Sequence, residues 1–577
     1  MKRIFGWLGI TAAVLSINAQ PTVGAASNYY QNGQTLSVPV HNELLSQNQS
    51  NEFDYKDFDF WAKQCRVLEN EQKYTEALAA CEKAIALQPK KKNVEIWTAR
   101  SHALFQLGRY AEAVASYDHV LSIAPNSSLA LTRRCEALYQ LGNYEDAIAS
   151  CESAVRVDGD WGNETPALAW YNRGLALREL RRPEEAIASY ERAMTILPNN
   201  SLALAEHCGA LSDLGRSEEA IISCAWANFI NKNWRNATPA LSWNNLALAY
   251  RELGRLEEAN ISYERALAIN PNDADTWTNQ GIVLEKLDQY EKALTSYDRA
   301  VKLSPSYSLA LANRCAALNR LGRYKEALDS CEKALAGDRQ WGDASPAFAW
   351  TQHGSALAGL GQYKESLASA ERAIAIKPYY AEAWNNQGVA LWNLKRYQEA
   401  SDSTHRAIEI NPKYSQAWFN HGRILTSLAI HDKAVNAYEQ ALKGDVKPDD
   451  KPALASIWAN KGAALWHLKQ YPKALESANK AIELNPGSFE GWYNQGIILV
   501  DLKQYNQGLA AYDRANRISP NNVYVLTGRG IALAGLGRYQ DAIAAFEEAL
   551  NIDPNYALAQ QNRDRMLRTL QVSENNK

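Results

Sequence analysis

No basic stripe runs through this chain. Its net charge is −3 over 577 residues, and its longest lysine run is Lys90 to Lys92. A polyanion would find no continuous cationic track, so nucleic acid is not an expected partner. Short catalytic motifs are missing too: there is no Gly-x-Ser-x-Gly, no Gly-x-x-x-x-Gly-Lys-Ser/Thr and no His-Glu-x-x-His. Gly528-Arg529-Gly530 resembles half a dinucleotide fingerprint, but it falls inside a helical pattern with no strand before it. The nine histidines are scattered, and no Cys-x-x-Cys is present. No enzymatic activity, cofactor or metal is therefore expected. Beyond the first residues no stretch approaches the roughly 18 apolar residues of a membrane span.

What is present is a period. From Phe58 the chain repeats at intervals of about 34 residues, with copies starting at 58, 94, 128, 167, 201, 240, 274, 308, 347, 381, 415, 455, 489 and 523. Each copy carries two apolar stripes at helical spacing around a short turn such as Leu107-Gly108-Arg109-Tyr110, a pattern that predicts a helical hairpin. Pro271, Pro305, Pro378, Pro412, Pro486, Pro520 and Pro554 stop second helices. Ten of the seventeen tryptophans share repeat position 4, where they read as packing residues.

Trp or Leu at position 4, Gly at 8, Tyr at 17, Ala at 20, Tyr at 24, Ala at 27 and Pro at 32 closely resemble the tetratricopeptide repeat family. The resemblance covers Phe58 to Tyr556. It implies an all-α fold, a right-handed superhelical solenoid whose first helices line a concave groove. Residues 557–577 then form a polar capping helix and tail. Departures fall at Pro183, Ser217, Leu256 and His431, which replace the position-17 aromatic, and at Gly508, which replaces an Ala. Each is expected to loosen its own hairpin.

All eight cysteines fall at positions 8 and 24 of four copies, as Cys65 and Cys81, Cys135 and Cys151, Cys208 and Cys224, Cys315 and Cys331. In a hairpin turning near position 16 these sites face each other. Other copies place a small residue opposite an aromatic there, such as Gly174 and Tyr190, or Gly530 and Phe546. The pairs are either four disulfides within hairpins or four buried thiol pairs. Zinc is not expected, because two sulfurs with no neighbouring His complete no tetrahedral site.

The chain opens with Lys2 and Arg3, an apolar run from Ile4 to Ile17, and small residues suited to cleavage after Ala19 or Ala25. This reads as a signal peptide over 1–25. It favours the disulfides and an exported protein, whether periplasmic, lumenal or secreted. Residues 26–57, rich in Asn, Gln and Ser, read as a flexible arm. After copies three, five and eight the chain inserts five residues carrying Trp161, Trp234 and Trp341, which either plug the wider turns or form binding loops on one rim.

Within the family's geometry, position 6 of the first helix faces the groove. It is Asn in eight copies: Asn172, Asn245, Asn279, Asn313, Asn386, Asn420, Asn460 and Asn494. Amides that donate and accept suit an extended peptide backbone, and the row resembles the asparagine ladder of O-linked N-acetylglucosamine transferases. The alternative is that these amides bond within the array. Leu175, Leu248, Ile282, Val389, Ile497 and Ile531 at position 9, with Trp392 and Trp466 at position 12, add an apolar floor. The carboxylate clamp of chaperone-associated members is absent. The first reading is a non-enzymatic scaffold binding extended or helical segments of partner proteins. The second is a targeting or regulatory subunit of a separate glycosyltransferase-like enzyme. Self-association through the rims is a third.

Overall fold

The computed structural model describes residues 57–87, 93–157, 159–235, 237–342 and 344–575, with side chains to 571. The expected signal peptide, and the expected arm up to residue 56, lie outside the described residues.

Helices pair in chain order, from α1 (Phe58–Asn70) with α2 (Tyr74–Leu87) to α27 (Val523–Gly535) with α28 (Tyr539–Ile552), and α29 (Ala557–Asn575) follows. The fourteen hairpins stack into a right-handed superhelical solenoid, with no strand among the described residues. First helices start within one residue of the expected copy starts, except α23 (Lys451–His467), which begins four residues early.

Every hairpin turns the same way. Position 15 has positive φ in all fourteen copies, at Gly in seven (Gly108, Gly142, Gly215, Gly254, Gly322, Gly361, Gly537) and at Gln72, Arg181, Asp288, Lys395, Ala429, Lys469 and Lys503 in the rest. The next residue's N–H bonds back five residues, as Arg109 does to the Leu104 carbonyl at 2.9 Å. This left-handed closure satisfies carbonyls that the helix end would otherwise orphan.

The second helix approaches closely because small residues meet large ones. A Cβ at Gly174, Gly422 or Gly530 would lie 2.5–2.6 Å from the ring of Tyr190, Tyr438 or Phe546. Position-20 alanines such as Ala77, Ala186 and Ala293 are fully buried. The expected loosening is not seen in the helices themselves. Pro183, Ser217, Leu256 and His431 each start a helix of ordinary length, Pro183 at the first turn where its missing N–H costs nothing. At Gly508 the Val500 side chain occupies the space of the missing methyl.

Hairpins are joined by side chains as well. Nε1 of Trp277, Trp384, Trp418 and Trp492 donates at 2.8–2.9 Å to the carbonyls of Pro271, Pro378, Pro412 and Pro486. These four position-4 tryptophans therefore tie their repeats to the stop signals before them. At the wider turns Trp161, Trp234 and Trp341 pack against buried clusters of the preceding copy, so they plug those turns.

Ser128, Ser201, Ser308 and Ser415 hold the wider turns closed. In the first three, Oγ donates to the carbonyl of Ala154, Ala227 or Ala334 at 2.8–2.9 Å. All four accept from the inserted segment, through the N–H of Gly159, Lys232, Arg339 or Val446. The superhelix also meets itself: Lys447 Nζ, beyond copy eleven, lies 2.6 Å from Asp288 Oδ2 in the turn of copy seven.

Candidate functional site on the concave face

Positions 2, 6, 9 and 12 share one face of a first helix, three to four residues apart. In copies six to nine this face lines a cavity of ≈ 650 Å³. Leu248 and Arg251 come from α11 (Ala240–Glu252), and Asp275, Asn279 and Ile282 from α13 (Ala274–Lys286). α15 (Ser308–Arg320) adds Leu309 and Asn313, and α17 (Pro346–Gly359) adds Phe348. Tyr307, Lys377, Tyr380 and the inserted turn at Gly342, Ala344 and Ser345 complete the wall.

The chemistry is an apolar floor between polar sides. Leu248, Ile282, Leu309 and Phe348 supply aliphatic and aromatic surface. Arg251 donates to Asn279 Oδ1 at 3.4 Å and to Glu252 at 3.2 Å. Lys377 sits 5.1 Å from the Tyr380 ring centroid and makes no ion pair among the described residues. Burial, and a hydrogen bond to Asp275, push the Tyr307 phenol up, so it stays a neutral donor. Further along α13, burial pushes the Glu285 carboxyl up to about 7, against the opposing pull of Tyr297 and Arg320.

Of the sequence-predicted groove residues, the cavity gathers Leu248, Asn279, Ile282 and Asn313. Leu175 lines a second, more polar cavity of ≈ 660 Å³ with Arg178, Glu179, Glu206 and Asp213. Val389, Trp392, Trp466, Ile497 and Ile531 are half-buried on later copies. Trp392 donates to Ser427 Oγ at 2.9 Å and lies under the Arg423 guanidinium, while Trp466 donates to Asp501 at 2.6 Å.

The position-6 amides point mainly along the array. Asn245 and Asn494 donate to the carbonyls of Ala205 and Ala459 at 2.8 Å, each on the preceding repeat's first helix. Asn386 reaches Thr351 and Ser355 in the same way, and Asn420 reaches Asn385 Oδ1 at 2.9 Å. Asn313 and Asn460 bond back four residues within their own helices. Asn172 is buried at 4% exposure. Four of the eight amides thus donate between repeats and two within their own helices, so the donor hydrogens expected to meet a peptide backbone are largely occupied inside the array.

At Arg133 and Glu206, where position 6 is charged rather than Asn, ion pairs link the copies, and the sequence reading missed them. Arg178 bridges Glu206 at 2.8 Å and Asp213 at 2.7 Å. Glu164 of one inserted turn takes Arg133 at 2.7 Å and Arg235, from the next inserted turn, at 2.9 Å. Burial pushes the Glu206 carboxyl up despite Arg178. The available signal was the exclusive appearance of Arg133 and Glu206 at position 6 in Cys-bearing copies.

The eight cysteines are joined as the four within-hairpin pairs, with Cα–Cα separations of 4.8 to 5.5 Å. Among the described residues no group of three or more His, Cys, Asp or Glu side chains is placed to hold a metal, and no helix is long and apolar enough to cross a membrane.

No curated protein matches the sequence. Family models described as tetratricopeptide repeat match residues 94–127, 132–201, 238–306, 307–378, 381–414, 415–443, 455–488, 489–522 and 523–556. Among solved structures, the APC/C hetero-tetramer Cut9–Hcn1 is similar at 16% identity over 88% of this chain and 96% of that one, TM-score 0.46. Naa15/Naa10 bound to HypK-THB is similar at 12% over 90% and 97%, TM-score 0.34. YrrB, a repeat protein with an unusual peptide-binding site, is similar at 19% over 34% and 97%, TM-score 0.28.

Proposed function

The chain belongs to the tetratricopeptide repeat family, and from that premise we propose that it is an exported, non-enzymatic scaffold holding extended or helical segments of partner proteins along its concave face. The cavity of copies six to nine carries this reading. Its floor of Leu248, Ile282, Leu309 and Phe348 takes apolar side chains, and Arg251, Asn279, Tyr307 and Lys377 supply donors at its edge. With most position-6 amides bonded inside the array, affinity comes from this surface rather than from a ladder of free asparagines.

Export is supported by the basic and apolar opening from Lys2 to Ile17 together with four bonded cysteine pairs, since disulfides persist in oxidising compartments. The experiment is to pan a displayed library of random peptides, about four helical turns long, against the disulfide-intact full chain. Binders are then retested on Phe348→Ala and on Arg251→Ala/Lys377→Ala. Enriched peptides that lose affinity on both variants support the reading. No enrichment, or binders indifferent to both, would refute it.

A further inference from the structure

Outer helices of this array show water a polar face, and one does not. In the fifth copy α10 (Ser217–Ile230) turns Ile222, Trp226 and Phe229 outward at 63%, 52% and 79% exposure. The two rings stack with centroids 5.4 Å apart. The next outer helix, α12 (Leu256–Ile269), adds Ile261 at 50% exposure.

In three other copies the residue at Trp226's repeat position is a cation that covers the position-4 tryptophan of its own copy. Arg265 lies 4.5 Å from the Trp243 ring, Arg372 4.5 Å from Trp350, and Lys83 4.1 Å from Trp61. In the fifth copy position 4 is the buried Leu204, so Trp226 has no inner aromatic to serve. Large aromatics held in water at a position where neighbouring copies carry arginine mark a contact surface.

We infer that this face binds a second copy of the chain, through two-fold antiparallel packing of α10 on α10. The order of residues along the face is self-complementary about a point between Ala225 and Trp226. An antiparallel dyad there sets Ala225 against the second copy's Trp226, small against large, and Ile222 against its Phe229. At the ends it brings exposed Glu218 to within one residue of the position opposite Lys232. Neither has an ion-pair partner among the described residues, whereas neighbouring Glu219 is held by Arg216 at 2.7 Å. The opposite charges at the two ends match an antiparallel copy and do not match an anionic lipid surface.

Sedimentation velocity of the full chain across about 1 to 100 µM tests this, because dimerisation follows mass action. Reversible dimer is expected. Trp226→Arg, which installs a residue other copies carry here, and Phe229→Lys each weaken association at least about tenfold, with far-UV ellipticity and melting unchanged. Glu218→Lys weakens it, and adding Lys232→Glu restores it. A monomer throughout the range, a dimer indifferent to both aromatic variants, or failure of the charge exchange to restore association overturns the inference. So does a monomer that binds phosphatidylglycerol vesicles through Trp226.

Discussion

Asn494 donates from Nδ2 to the backbone carbonyl of Ala459, 2.8 Å away and one repeat earlier. The bond crosses the joint between α23 and α25 (Phe489–Asp501), so its loss is felt at the joint. Asn494→Ala is expected to lower stability by about 1 kcal/mol, read from the urea midpoint. Hydrogen exchange should quicken in α25 before it does elsewhere. If the amide served only a peptide ligand, neither quantity would move.

Stability should depend on the cysteine pairs and peptide binding should not. Closing a loop of this length contributes up to about 3 kcal/mol in the chain-entropy model. Cys315→Ala/Cys331→Ala is expected to melt earlier than the parent without reductant, and to match it more closely once the remaining pairs are reduced. Intact mass under alkylating conditions should find all eight cysteines protected until reductant is added.

Ala429 occupies the left-handed turn position at φ 59°, where seven other copies have glycine. An L-residue with a Cβ costs roughly 1–2 kcal/mol there, partly offset by the greater unfolded-state freedom of glycine. Ala429→Gly is expected to stabilise the chain by about 0.5–1 kcal/mol in urea unfolding. The same change at Ala417, a buried helical position, should destabilise it.

Glu285 gives the protein a pH dependence of definite sign. Burial raises its folded carboxyl to about 7 from the ordinary 4.5. Between those values the folded state holds more protons than the unfolded one, so stability falls as pH rises through that window. Glu285→Gln should be more stable than the parent above pH 7, by about 2 kcal/mol once solvent screening is allowed for. The two should converge below about pH 4.5, as parallel urea titrations would show.

The hairpins were legible in the sequence because each solves a local problem visible in one copy: Gly174 must face Tyr190, and where Cys135 appears so does Cys151. The turn at Ala429 was not, since nothing in an alanine announces positive φ; the helix closure before it imposes that geometry. Ser128, Ser201, Ser308 and Ser415 were legible in principle, being the position-1 serines of the copies followed by longer connections. The direction of Asn245 and Asn494 was hidden for another reason. Whether a position-6 amide enters the groove or crosses the joint depends on the angle between adjacent hairpins, which the period of a single copy does not contain. The same holds for Arg178 with Glu206, charges that meet only after stacking.

The contact between Lys447 and Asp288 makes the array an uneven spring. A repeat solenoid stretches by opening every joint slightly, and its compliance is the sum of those joints. Here successive coils touch, so extension between copies seven and eleven must first part an ion pair. Both partners are half-exposed, which keeps the latch weak and sensitive to salt. Raising ionic strength should soften that one segment, lengthening the molecule from its middle while leaving its ends as stiff as before.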